Sequence, residues 1–131
     1  DPALDASLLL LPAFGVLPAD DPAMRRTIEA IGRDLSADGL ILRYRTEGGA
    51  DGLPPGEGVF LACSFWYVEA LAALGRRAEA EALFERLLSI ANDVGLLAEE
   101  YDPAERRHLG NFPQAFSHLA LVDAGLSLNG V

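Results

Sequence analysis

The sequence predicts an all-α domain of stacked helical hairpins across residues 1–131, and three observations carry that expectation. Segments that are apolar on every side alternate with segments that carry one apolar stripe, the pattern of an inner helix followed by an outer one. Asp, Pro and Gly stand where helices start and stop. A shift of about 56 residues lays one hairpin on the next, taking Gly39 to Gly95, Ile28 to Phe84 and Ile31 to Leu87.

In chain order, Ser7 to Leu17 is apolar nearly all round and reads as the first inner helix. Asp20-Asp21-Pro22 then starts an outer helix, with Asp as N-cap and Pro in the first turn. Met24, Ile28, Ile31 and Leu35 form its stripe, and Asp38-Gly39 stops it, the glycine serving as a left-handed cap. Leu40 to Arg45 reads as a short extended return, followed by a Gly- and Pro-rich loop from Thr46 to Gly58. Phe60 to Leu74 is the second inner helix, ended by Gly75. Ala78 to Ala91 is the second outer helix, with Leu83, Phe84, Leu87 and Leu88 facing in; Asn92 to Gly95 closes it. Pro113 to Leu128 is the third inner helix.

Composition narrows the function. Half the residues are apolar, which predicts a folded core. The net charge of −10 argues against nucleic acid and anionic membrane as partners, because both call for clustered Lys and Arg. No apolar run is long enough to span a membrane and the first residues lack a signal-peptide layout, so a cytoplasmic location is expected. The single Cys63 lies in an apolar run and reads as a buried structural thiol. His108 and His118 have no Cys or carboxylate at ligand spacing, so no metal site is expected.

The chemistry concentrates at Gly95 to Pro103, where Glu99 and Glu100 stand side by side among Leu96, Leu97 and Tyr101. A carboxylate held among apolar neighbours is a candidate general acid or base, because burial moves its proton affinity toward neutrality. A solvated Glu pair closing a helical hairpin is the plainer alternative. The 56-residue shift places Arg43 on Glu99, so both occupy returns from an outer to an inner layer. In a ring of such hairpins the returns gather at one end, where a binding site is expected. If the segment after Gly95 is extended, Glu99 and Glu100 point to opposite faces.

Gly95 to Pro103, with the following Leu109-Gly110-Asn111-Phe112-Pro113-Gln114-Ala115-Phe116-Ser117-His118, resembles the C-terminal part of the family 15 glycoside hydrolases. These are the glucoamylases and their bacterial trehalase-like and glucodextranase-like relatives. Gly58 to Trp66, and Asp5 to Leu10 together with Leu17 to Pro22, resemble two further segments of the bacterial members. The resemblance implies a part of an (α/α)6 barrel that hydrolyses α-glucosidic bonds with inversion, and no cofactor. It makes Glu99 the general base that activates water. It makes Arg43 and Tyr44 substrate-binding residues, joined more loosely by Glu57 and Glu100. Tyr101 and Asp102 would brace the base loop, Asn111 would cap the last helix, and Trp66 and His118 read first as packed helix residues.

No stretch resembles the segment that carries the family's general acid, and five helices cannot close a twelve-helix barrel. The chain is therefore expected to be a fragment that is inactive alone and self-associates through exposed inner helices. The competing expectations are a helical-repeat module that binds protein partners, and a sugar-binding relative without catalysis.

Overall fold

The computed structural model describes residues 3–45 and 58–130, so most of the Gly/Pro-rich loop, including Glu57, lies outside the described residues. Four α-helices form its body: α1 (Pro22–Asp34), α2 (Leu61–Ala73), α3 (Arg77–Ile90) and α4 (Ala115–Leu128). Short strands join them at one end: β1 (Ser36–Ala37), β2 (Leu40–Ile41), β3 (Val59–Phe60), β4 (Glu100–Asp102) and β5 (Arg107–Leu109).

Helix α2 is the hub. Met24, Ile28 and Ile31 of α1 pack with Cys63 and Ala70 of α2 in one cluster. Phe65, Val68 and Leu71 of α2 pack with Leu87 of α3 and with Ala120, Ala124 and Leu128 of α4 in the other. Phe65 meets Phe84 of α3 edge to face, with ring centroids 6.2 Å apart. Coverage on two sides is why α2 is apolar all round. The two striped helices, α1 and α3, lie outside it.

The capping signals act where they are local. Asp21 accepts a hydrogen bond from Ala23 N at 2.8 Å and Pro22 is the first residue of α1. Gly75 ends α2 at φ +78°, with Gly75 N donating to Ala72 O and Arg76 N to Leu71 O.

Three expectations are corrected. Ser7 to Leu17 is not an α-helix: a 3-10 helix covers Ala6–Leu10 and turns follow. Pro12 has no N–H to give the Leu8 carbonyl, which accepts from Leu11 N instead, and Gly15 turns the chain at φ +68°. Asp38-Gly39 does not cap α1, which has already ended at Asp34. Both residues have positive φ (49° and 75°) and form the two-residue turn of the β1–β2 hairpin, the geometry that Asp-Gly favours. Nor is the chain purely helical, because β3, β4 and β5 form an antiparallel sheet.

Helix α4 is an inner helix on one side only. Ser117, Ala120, Ala124 and Leu128 are buried against α2, while Phe116, Leu119, Val122 and Leu126 are 45–63% exposed. Among the described residues no helix is long and apolar enough to cross a membrane.

Candidate active site

Arg43 reaches the site on the return from α1. The β1–β2 hairpin reverses the chain, and the amide of Ile41 is held by the hydroxyl of Ser64 on α2, at 2.9 Å in the buried interior. Two residues later Arg43 O accepts from Ala6 N. The Arg43 side chain is half exposed, with its guanidinium 5.6 Å from the Tyr44 ring centre and its Nε 3.8 Å from Asp5.

Glu99 arrives on the return from α3. Asn92 and Gly95 turn the chain, Asn92 Oδ1 accepting from the amides of Val94 and Leu96, with Gly95 at φ +79°. All six backbone polar groups of residues 97–99 are then bonded. Leu97 N donates to His118 Nε2, Ala98 N to His108 Nδ1 and Glu99 N to Asn111 O. The three carbonyls accept in turn from Gln114 N, Ser117 Oγ and Leu61 N. Each imidazole takes an amide on one nitrogen, so the proton sits on the other, which donates to Ile90 O (His108) or Gln114 O (His118). Such complete satisfaction fixes a short segment that has no helix or strand of its own.

Alternation along that segment separates the two glutamates. Glu99 Oε2 accepts from Asn111 N at 3.2 Å and Asn111 Nδ2 at 3.0 Å. Glu100 turns the other way, where its Oε2 accepts from Gly58 N at 2.9 Å and fastens β4 to β3.

The returns converge on one cleft of about 200 Å³. Arg43, Glu99, Gln114 and Ser117 give it polar groups, and Phe60, Ala62, Cys63, Trp66 and Phe116 give it an apolar wall. Trp66 and Phe116 meet edge to face with centroids 5.8 Å apart. Of the expected site residues, the structure brings Glu99 and Arg43 together here. Tyr44 and Glu100 are not among the residues that line the cleft, and Glu57 lies outside the described residues. Trp66 packs against both core clusters, as a packed helix residue should, and also stands in the cleft wall. His118 is bonded on both nitrogens, as a packed helix histidine should be. Asn111 does not cap α4: the N-cap is Gln114, and Asn111 engages Glu99 instead. Sequence reasoning missed that contact, whose one available signal was a glycine followed by an asparagine in an extended stretch.

A carboxylate fixed by two donors, a guanidinium and an aromatic wall can orient a polyhydroxylated ring and take a proton from water beside it. The cleft's thiol is not equipped for nucleophilic work: burial pushes Cys63 up to about 12, against the opposing pull of the Arg43 charge.

A family model described as glycosyl hydrolases family 15 matches residues 1–126. A trehalase of Mycolicibacterium smegmatis is 56% identical over 124 residues, which are 95% of this chain and 19% of that protein. A trehalase of Thermoplasma volcanium is 43% identical over 120 residues, again 19% of its length. A solved wild-type glycosidase superposes with a TM-score of 0.80 at 27% identity, covering 98% of this chain and 37% of that one. The chain thus spans about a fifth of the length of the curated relatives it matches.

Proposed function

The chain belongs to family 15 of the glycosyl hydrolases, and from that membership we propose that it is part of the (α/α)6 catalytic barrel of an inverting α-glycoside hydrolase. Its substrate class is an α-glucoside, with trehalose first because the relatives named above are trehalases. Glu99 is the general base, Arg43 binds sugar hydroxyls, and Trp66 and Phe116 offer the apolar face of the ring a surface. The observation that carries this reading is the convergence of Glu99 and Arg43, 56 residues apart in the chain, on one aromatic-walled cleft. A protein-binding helical module would leave that convergence unexplained.

In the reaction, Glu99 takes a proton from water as the water oxygen attacks the anomeric carbon. A second carboxyl group, supplied by another part of the parent, protonates the departing oxygen. Inversion sets that group roughly 6.5–9.5 Å from Glu99, leaving room for the water. Asn111 occupies one carboxylate oxygen of Glu99, so the other is the one offered to water. Glu100 serves as a strut between β3 and β4 rather than as a sugar ligand. Tyr44 acts through its stacking on Arg43, and Glu57 remains a proposed contact from the loop that follows.

Proton NMR of trehalose hydrolysis by the complete parent enzyme tests this reading before mutarotation sets in. Inversion releases α- and β-glucose in equal amounts, because only the attacked ring changes configuration. Release of α-glucose alone would mean retention and would remove the general-base role from Glu99.

A further inference from the structure

The β4–β5 ladder pairs Glu100 with Leu109, Tyr101 with His108 and Asp102 with Arg107. Continued by one step, it would pair Glu99 with Gly110. The hydrogen bond runs instead from Glu99 N to Asn111 O at 2.9 Å. Gly110 is therefore one residue too many: a β-bulge whose extra residue is a glycine at φ +72°. The bulge has two consequences at Glu99. It advances Asn111 by one position, so that its amide and its side chain both reach Oε2. It also lays the Gly110 Cα against the carboxylate so closely that a Cβ there would stand 2.9 Å from Oε2 and 3.2 Å from the Glu99 Cβ.

We propose that Gly110 and Asn111 form a positioning device for the Glu99 carboxylate, with Asn111 holding Oε2 and the bare Gly110 backbone giving the carboxylate its seat. The proposal rests on the reading of Glu99 as general base. Neither residue touches the reacting atoms; both decide where Oε1 points. A base held by two donors on one oxygen keeps a single approach to its water. Losing that orientation costs rate in the chemical step, while sugar binding by Arg43 and the aromatic wall is unaffected.

The test uses the complete parent enzyme in Asn111→Ala, Asn111→Asp, Gly110→Ala and Glu99→Gln forms, with kcat, KM and melting temperature measured for each. Asn111→Ala is expected to lower kcat by about 10- to 100-fold, with KM changed by less than about threefold. Asn111→Asp, equal in shape but with a carboxylate oxygen where the amide nitrogen stood, is expected to lower kcat further. Gly110→Ala, in which the carboxylate is displaced and the backbone strained, is expected to match Asn111→Ala. A merely structural role predicts the opposite ranking, with the isosteric Asp milder than Ala and kcat following the melting temperature. If Glu99→Gln falls steeply while Asn111→Ala keeps kcat within about twofold, or Asp proves milder than Ala, the positioning role is overturned and the base stands. If Glu99→Gln itself keeps its rate, the base assignment falls and this proposal falls with it.

Discussion

Replacing Ser64 by alanine probes the join between the hub helix and the strand that delivers Arg43. Ser64 is fully buried, Ile41 is 2% exposed, and the Ser64 hydroxyl accepts the Ile41 amide at 2.9 Å. Alanine removes the acceptor and leaves a backbone N–H in an apolar layer that water does not reach. An orphaned buried donor costs about 1–3 kcal/mol. Alanine's better helix propensity returns about 0.5 kcal/mol. The net loss is therefore about 0.5–2.5 kcal/mol. For a chain of this size that corresponds to a melting temperature lower by about 2–9 °C. The matched control is Ser89→Ala on α3, where the serine is exposed and its Oγ donates to Arg86 O within its own helix; it should stay within about 0.5 kcal/mol of the parent. Thermal and urea unfolding followed by circular dichroism would measure both. Equal melting temperatures for Ser64→Ala and Ser89→Ala would refute the claim that this hydroxyl secures the Arg43 return.

Two further outcomes follow from groups away from the cleft. Glu69, half-buried on α2 and facing the Asp123 charge on α4, is raised to about 7, first by burial and then by that charge. Its folded-state value lies above the usual carboxylate range, so the folded state holds the proton more tightly. Its stabilising contribution is complete below about pH 4.5 and is lost as pH rises toward 7. Glu69→Gln should remove this pH dependence and raise stability at pH 8 by about 1–2 kcal/mol after discounting for solvent reach; a variant that melts no higher than the parent at pH 8 would contradict it. The isolated chain should turn over neither trehalose nor maltose, and should associate through the apolar face of α4. Sedimentation is expected to show oligomers that Leu119→Glu with Val122→Glu disperses, whereas a monomeric parent chain would dispose of that surface.

What the sequence made legible was what local physics writes into it. The start of α1 follows from Asp21 and Pro22 alone, and the end of α2 from Gly75, because caps are settled within a few residues. The striped patterns predicted which helices lie outside, since burial leaves its period in the chain, whereas the all-round apolar pattern named three inner helices without marking α2 as the one covered on two sides. The first apolar run misled because leucines at every position fit a buried helix equally well as a 3-10 turn, and the decision rested with Pro12. Strands of two or three residues carry no readable period, and β3 finds β4 only across some forty intervening residues. The bulge at Gly110 depends on that same pairing, so Asn111 could not be joined to Glu99 before β4 and β5 were in register. In the site, the proposed 56-residue repeat pairs Arg43 with Glu99, and the two share the cleft. It also matches Ile41 to Leu97, whose amides are both held by a side chain of the following helix, Ser64 and His118.

The central claim is that one face of a single short segment carries the base. Glu99→Gln and Glu100→Gln in the complete parent enzyme, compared by kcat on trehalose, test it most directly. Glutamine keeps the shape of each side chain. At Glu99 it removes the proton acceptor, so the rate should fall by roughly 10²–10⁴. At Glu100 it keeps an oxygen for the Gly58 amide, so the loss should stay below about tenfold. A steep loss at Glu100 with a mild one at Glu99 would contradict the account and put the base on the opposite face of the strand.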